Sequence, residues 1–230
     1  MNGVLEGPVA ADSVSEQVNV AIREAIKNRA YECLLHDEVE DISVWGLTSE
    51  ATEGWGLVIE KANRLSIFPD IRHSRQPRAQ RNPVSGDIWL VASAMEGTGV
   101  AVERPYLMRF HNDQQAYIAA TIDPYDMQQA LCQRLRYAVE GQQMTLCDGD
   151  SIVATVTVHE TNMGDLYEDA VWIGEQLTYE ADADGLTVCV TPGLSFNTGL
   201  VLIYDDMPTL KARVTLDDAG MFTLGNIAKE

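Results

Sequence analysis

Four things are scarce in this 230-residue chain: cysteine, histidine, basic residues and long apolar runs. Cys33, Cys132, Cys147 and Cys189 never fall at C-x-x-C spacing. Neither a zinc site nor a redox pair is therefore expected, and no metal or cofactor is assigned. The thiols are expected buried and reduced, Cys33 and Cys132 in helical patterns, Cys147 and Cys189 in strand patterns. No apolar stretch approaches the ~18–20 residues that cross a bilayer, so no membrane partner is expected. The opening MNGVLEGPVAADS has no basic region followed by an apolar run, so a signal peptide is not expected either. Lysine and arginine number 16 against 35 acidic residues, a net charge of −19. Residues 1–143 hold 13 basic and 20 acidic residues, and 144–230 hold 3 and 15. Such a field repels phosphate backbones and argues against a sequence-specific nucleic-acid partner.

Catalytic signatures are missing as well. Gly54-Trp55-Gly56 and Gly97-Thr98-Gly99 do not open into a phosphate cradle, and no G-K-[ST] follows. Both read as turns between strands. No G-x-S-x-G elbow supports a nucleophilic serine. His36-Asp37-Glu38 sits with Glu40 and Asp41 at the expected end of a helix, as a solvated acidic corner. His159 and Glu160 point to opposite faces of a strand, and His111-Asn112-Asp113 reads as a turn. The acidic pairs Asp148/Asp150, Asp182/Asp184 and Asp217/Asp218 fall at hairpin turns, where aspartate bonds its own backbone; Asp205/Asp206 does not. A calcium ion wants six or more oxygens, which a lone pair does not supply. No catalytic residue is assigned.

What is present is a patterned globular chain, 46% apolar and 22% charged. Ser13 and Glu16 form a capping-box pattern, and Val14, Val18, Ile22, Ala25, Ile26, Ala30 and Cys33 continue as a stripe, predicting a helix over 13–35. ISVWGL (42–47) and GLVIEKANRLSIF (56–68) are apolar runs, and GDIWLVASAMEG (86–97) is a third, rich in strand formers. Asp123-Pro124 starts a second helix, predicted over 124–139 by Met127, Leu131, Leu135 and Ala138, with Gly141 ending it. From 144 the period becomes two, with hairpins around 148–150, 184–185 and 217–220 and a further strand at 200–206. The expected fold class is α+β: two amphipathic helices on a mostly antiparallel sheet over 1–143, then an acidic all-β unit over 144–230.

PDIRHSRQPRAQRNP (69–83) stands apart, with four arginines and no lysine. Pro69, Pro77 and Pro83 forbid a continuous helix, so the stretch is expected as a long loop between two strands. An extended, polyproline-like arm would line Arg72, Arg75, Arg78 and Arg81 along one edge. Guanidinium forks suit carboxylates, and a copy of this acidic chain is the simplest target. These four arginines are the expected interface residues; the rival reading is a solvated loop.

The order of an amphipathic helix (VSEQVNVAIREAIKNRA), strands with a long loop and a second helix (DPYDMQQALCQRLRYAV) resembles tail terminator and related neck proteins of tailed phages, over about 13–140. The resemblance implies a virion structural subunit assembled in the host cytoplasm. It implies a ring, commonly a hexamer, that caps or joins the tail tube and touches neighbouring tail or neck proteins through loops and arms. It implies no catalytic residues, and the β unit would be an added surface domain. The rival classes are a ligand-binding module on the β unit and a hydrolase using scattered Asp and His.

Overall fold

A computed structural model describes residues 3–5, 31–49, 54–62, 64–73, 77–95, 101–112, 114–157, 166–173, 177–196, 201–202 and 206–230. The chain divides into two compact units, Met1–Thr121 with Ala181–Asp184, and Ile122–Glu180 with Gly185–Glu230.

In the first unit, β1 (Gly3–Leu5), β2 (Tyr31–Val39), β3 (Ile42–Ser49), β4 (Gly54–Lys61) and β5 (Arg64–His73) form one antiparallel sheet in the order β1-β5-β4-β3-β2. A second sheet is a meander of β6 (Arg78–Arg81), β7 (Ile88–Met95), β8 (Ala101–His111) and β9 (Gln115–Thr121). Strand alternation sends Ile42, Val44, Leu57, Ile59 and Phe68 from the first sheet against Ile88, Leu90, Ala92, Met108 and Ala116 from the second. The result is a sandwich core with no helix in it among the described residues. The buried Ala116 amide donates to Ser66 Oγ at 2.8 Å, tying β9 to β5.

In the second unit, Asp123 caps α1 (Pro124–Arg134), its carboxylate accepting from the Tyr125 amide, with Pro124 in the first turn. Buried Met127 and Leu131 face inward. Gln128 Nε2 donates to the carbonyl of Ile173, and Cys132 Sγ to that of Val171. Three small sheets follow along the chain from residue 135. The first is β10 (Leu135–Glu140), β11 (Gln143–Asp148) and β12 (Ser151–Thr157). The second is β13 (Leu166–Trp172), β16 (Gly193–Phe196) and β17 (Val201–Leu202). The third joins β14 (Thr178–Asp182), β15 (Gly185–Val190), β18 (Leu210–Leu216) and β19 (Phe222–Leu224), with β20 (Ala228–Lys229) on β18.

The expected α+β arrangement of two helices on a sheet is therefore corrected to a mostly β protein with one helix among its described residues. The helix expected over 13–35 lies outside the described residues for 13–30, and 31–35 belong to β2. The second helix begins where expected but stops at Arg134. Leu135 is already extended, and residues 135–140 pair in register with 143–148. Gly141, at φ 62°, serves the two-residue turn of that hairpin rather than a helix end. A stretch such as LRYAVE satisfies either period, and the partner strand decides. The run 56–68 is not one element but a hairpin, since Lys61 pairs with Arg64. Gly54 and Gly56 lie within β4, not in a turn between strands, and Gly97-Thr98-Gly99 lies outside the described residues. The hairpins at 148–150, 184–185 and 217–220 form as the turn residues predict. The expected strand at 200–206 is described only for Val201–Leu202.

Candidate functional site

The arginine stretch is mostly strand, which corrects the expectation of a loop over 69–83. Its first five residues end β5 and Arg78–Arg81 form β6, so only 74–77 connect them, and Arg75 lies outside the described residues. The prolines do not prevent this. Pro69 falls where the β4–β5 register shifts, from Leu57↔Phe68 to Trp55↔Arg72, with Gly56 at φ 94° opposite. A proline is tolerated at such an irregularity because no ladder donor is needed there. Pro77 precedes β6 and Pro83 follows it.

The spacing of three then has a consequence opposite to the one expected. On a strand, residues three apart point to opposite faces. Arg81 pairs with Ile88 and shares its core-facing side, whereas Arg78 pairs with Val91 on the other side. Arg78 Nη2 donates to Glu103 Oε1 at 2.7 Å, and its side chain remains 56% exposed. Arg81 Nη1 donates to Glu40 Oε2 at 2.6 Å and Asp41 Oδ1 at 3.0 Å. Arg72 is exposed on β5.

Arg81 belongs to a charged closure at one end of the sandwich. Lys61, only 3% exposed, reaches Asp41 Oδ2 at 3.8 Å and lies 4.6 Å over the Phe110 ring. The ammonium thus gains a carboxylate and the negative face of a ring. Glu40 adopts φ 56°, a left-handed conformation that holds the two-residue Glu40-Asp41 turn beneath Arg81. Inward-pointing charge at a strand end also discourages foreign strands from pairing there. Glu40 and Asp41, expected as a solvated acidic corner, are indeed mostly exposed, yet both carboxylates are engaged. Their role was hidden because Arg81 lies about forty residues away in sequence.

The expected thiols are placed as follows. Cys132 lies on α1, Cys147 on β11 and Cys189 on β15, all three free, with Cys189 buried and the other two half-buried. Cys33 is on strand β2, not a helix. Burial pushes the Cys189 thiol up to about 11, and the Glu180 carboxylate adds to this. Its cross-strand neighbour Lys211 is held above its usual range by hydrogen bonds to Glu230 and Glu180. Both shifts are upward, so both contributions are full below the unfolded values and fade as pH rises through the folded ones. Folding stability is expected to fall from about pH 9 to 11 through Cys189, in urea titrations across that range. Cys189→Ala should remove that part of the slope; an unchanged slope refutes the assignment. In native buffer Cys189 should react more slowly than Cys132 and Cys147, with four groups reacting after denaturation without reductant.

His111 closes β8 and stacks on Tyr117 at 4.1 Å, with the turn expected after it. The side chains of His36, Asp37 and Glu38 and all of His159 lie outside the described residues. Among the described residues no three His, Cys, Asp or Glu side chains gather as a metal site, and no helix is long and apolar enough to cross a membrane. Comparison with family models, with curated proteins and with solved structures finds no match.

Proposed function

We propose that this protein is a non-catalytic structural subunit that assembles with copies of itself, in the manner of the ring-forming tail or neck subunits of tailed phages. The observation that supports this best is Arg78. Glu103 holds its guanidinium in one orientation while more than half of the side chain meets solvent. A carboxylate from another copy then meets a donor that is already ordered, which lowers the entropic cost of contact. The chain itself, at −19, supplies such carboxylates in surplus. Arg72, exposed on β5, and Arg75 complete the proposed contact, while Arg81 acts mainly within the fold.

Light scattering behind size exclusion, at several concentrations and two ionic strengths, tests this. The wild type should exceed the 25.3 kDa of one chain, and by less at high salt. An Arg72→Ala/Arg78→Ala variant should lose mass at concentrations where urea unfolding shows it still folded; Glu103, 16% exposed, loses a cation, so a modest drop of about 1–2 kcal/mol is expected beside the loss of mass. The fourfold variant that adds Arg75→Ala and Arg81→Ala should lose mass and some stability together. A wild-type monomer throughout overturns the assembly reading. Assembly unchanged in both variants removes the arginines from the interface.

A further inference from the structure

We propose that the ion bridge Glu180–Lys211–Glu230 is a salt-gated lid over the thiol of Cys189, hiding the sulfur while the bridge is closed and baring it to small thiol reagents when the bridge parts. Cys189 is buried, but not in the core. On β15 the buried side chains of Leu186, Val188 and Val190 share one face, and alternation puts Thr187 and Cys189 on the other. Their partners on β18 divide the same way. Leu186, Val188 and Val190 pair with Val214, Ala212 and Leu210, all buried. Thr187 and Cys189 pair with Arg213 and Lys211, both half-buried. On β14 the buried Tyr179 is followed by the exposed Glu180. Cys189 therefore stands on the face that carries the charges, yet it is only 4% exposed.

The strand order places the cover. β15 lies between β14 and β18. Lys211 Nζ on β18 donates to Glu180 Oε2 on β14 at 2.9 Å. The pair thus reaches across β15, a span of about 10 Å between the outer strands. It crosses at Cys189, because Lys211 is the cross-strand neighbour of Cys189 and Glu180 accepts a hydrogen bond from the thiol. Lys211 also meets Glu230 Oε1 at 2.8 Å, just past β20, whose Ala228 pairs with Lys211.

Such a cover opens differently from a core. The side chains of Glu180 and Glu230 are 56% and 60% exposed, and ion pairs this open to water are weak and screened by salt. Parting them turns three side chains and breaks no strand ladder, so reaching the sulfur is a local event rather than unfolding. Opening also hydrates the sulfur and takes Glu180 away from it, removing the two largest causes that hold the thiol protonated. Both consequences speed its reaction with an electrophile.

The test follows alkylation of Cys189 by iodoacetamide, read by peptide mass spectrometry at one fixed pH, with Cys147 as internal reference and urea unfolding alongside. Relative to Cys147, the Cys189 rate is expected to rise at least fivefold between dilute buffer and about 1 M NaCl, where the screening length is about 3 Å, with the unfolding midpoint not lowered. Lys211→Met and Glu230→Gln should react at the fast rate already in dilute buffer and lose the salt response. Lys211→Met separates access from chemistry. Burial and the Glu180 carboxylate raise the Cys189 thiol and the Lys211 charge opposes them, so this variant holds less thiolate and reacts faster only if access has opened. If Lys211→Met stays as slow as wild type, the cover is bulk rather than charge and the lid is refuted. It is refuted equally if the wild-type rate ignores salt, or follows the unfolding midpoint alone. Should the variants not fold, the wild-type salt series decides by itself.

Discussion

Arg134→Ala is expected to lower stability by about 2–4 kcal/mol and to loosen the last residues of the chain before the rest melts. Arg134 ends α1, and its guanidinium is a hub. Nε and Nη2 grip the two oxygens of Asp148, the first at 2.9 Å. Nη1 donates to the carbonyls of Leu224 at 3.0 Å and Gly225 at 2.8 Å. Asp148 in turn accepts from the Ile227 amide at 3.3 Å. One side chain therefore joins the helix, the β11–β12 turn and the segment leading to β20. Alanine would leave a carboxylate only 14% exposed without its cation, and two carbonyls without their donor. The side chain of Arg134 is itself 30% exposed, which keeps the estimate below that of a fully buried pair. Lysine should recover less than half of the loss, because a point charge does not fork. Urea unfolding gives the magnitude, and amide exchange at 226–230 gives the location. A variant within about 0.5 kcal/mol of wild type, the range of ordinary surface changes, would refute the hub.

The second large effect is expected at Gly46→Ala. Gly46 lies on β3, and the His73 ring covers its α-carbon. A β-carbon there would stand 2.8 Å from His73 Cε1, 3.1 Å from Nε2 and 3.3 Å from Nδ1. His73 is 4% exposed, so its ring has little room to turn away. Overpacking of this kind costs about 1–3 kcal/mol, and valine at the same position should cost more. The cost should depend on the ring. In a His73→Ala background, Gly46→Ala is expected to be nearly neutral, and the difference between the two backgrounds is the coupling energy. Equal costs with and without the ring would show that the glycine is needed for another reason. His73 belongs to the arginine stretch and serves the core of the sandwich, so part of that stretch is structural.

Several features of this protein are decided by neighbouring residues alone. Asp123-Pro124 starts a helix because a carboxylate and a fixed φ act within one turn. Gly149 and Gly185 turn hairpins because only a residue without a side chain enters those dihedrals cheaply. The acidic surplus and the cluster of arginines are likewise composition, visible without a fold. The rest depended on partners remote in sequence. Residues 31–35 and 135–140 carry apolar patterns that suit a helix, and pairing with 42–49 and 143–148 makes them strands. Arg78 and Arg81 look alike in sequence. Strand alternation sends one toward Glu103 on β8 and the other toward Glu40 and Asp41 at the β2–β3 turn. Local chemistry sets turns and caps because its atoms are adjacent on the chain. Strand identity and the fate of each charge are set by which carbonyl or carboxylate the folded backbone brings within 3 Å, and that is a property of the tertiary structure.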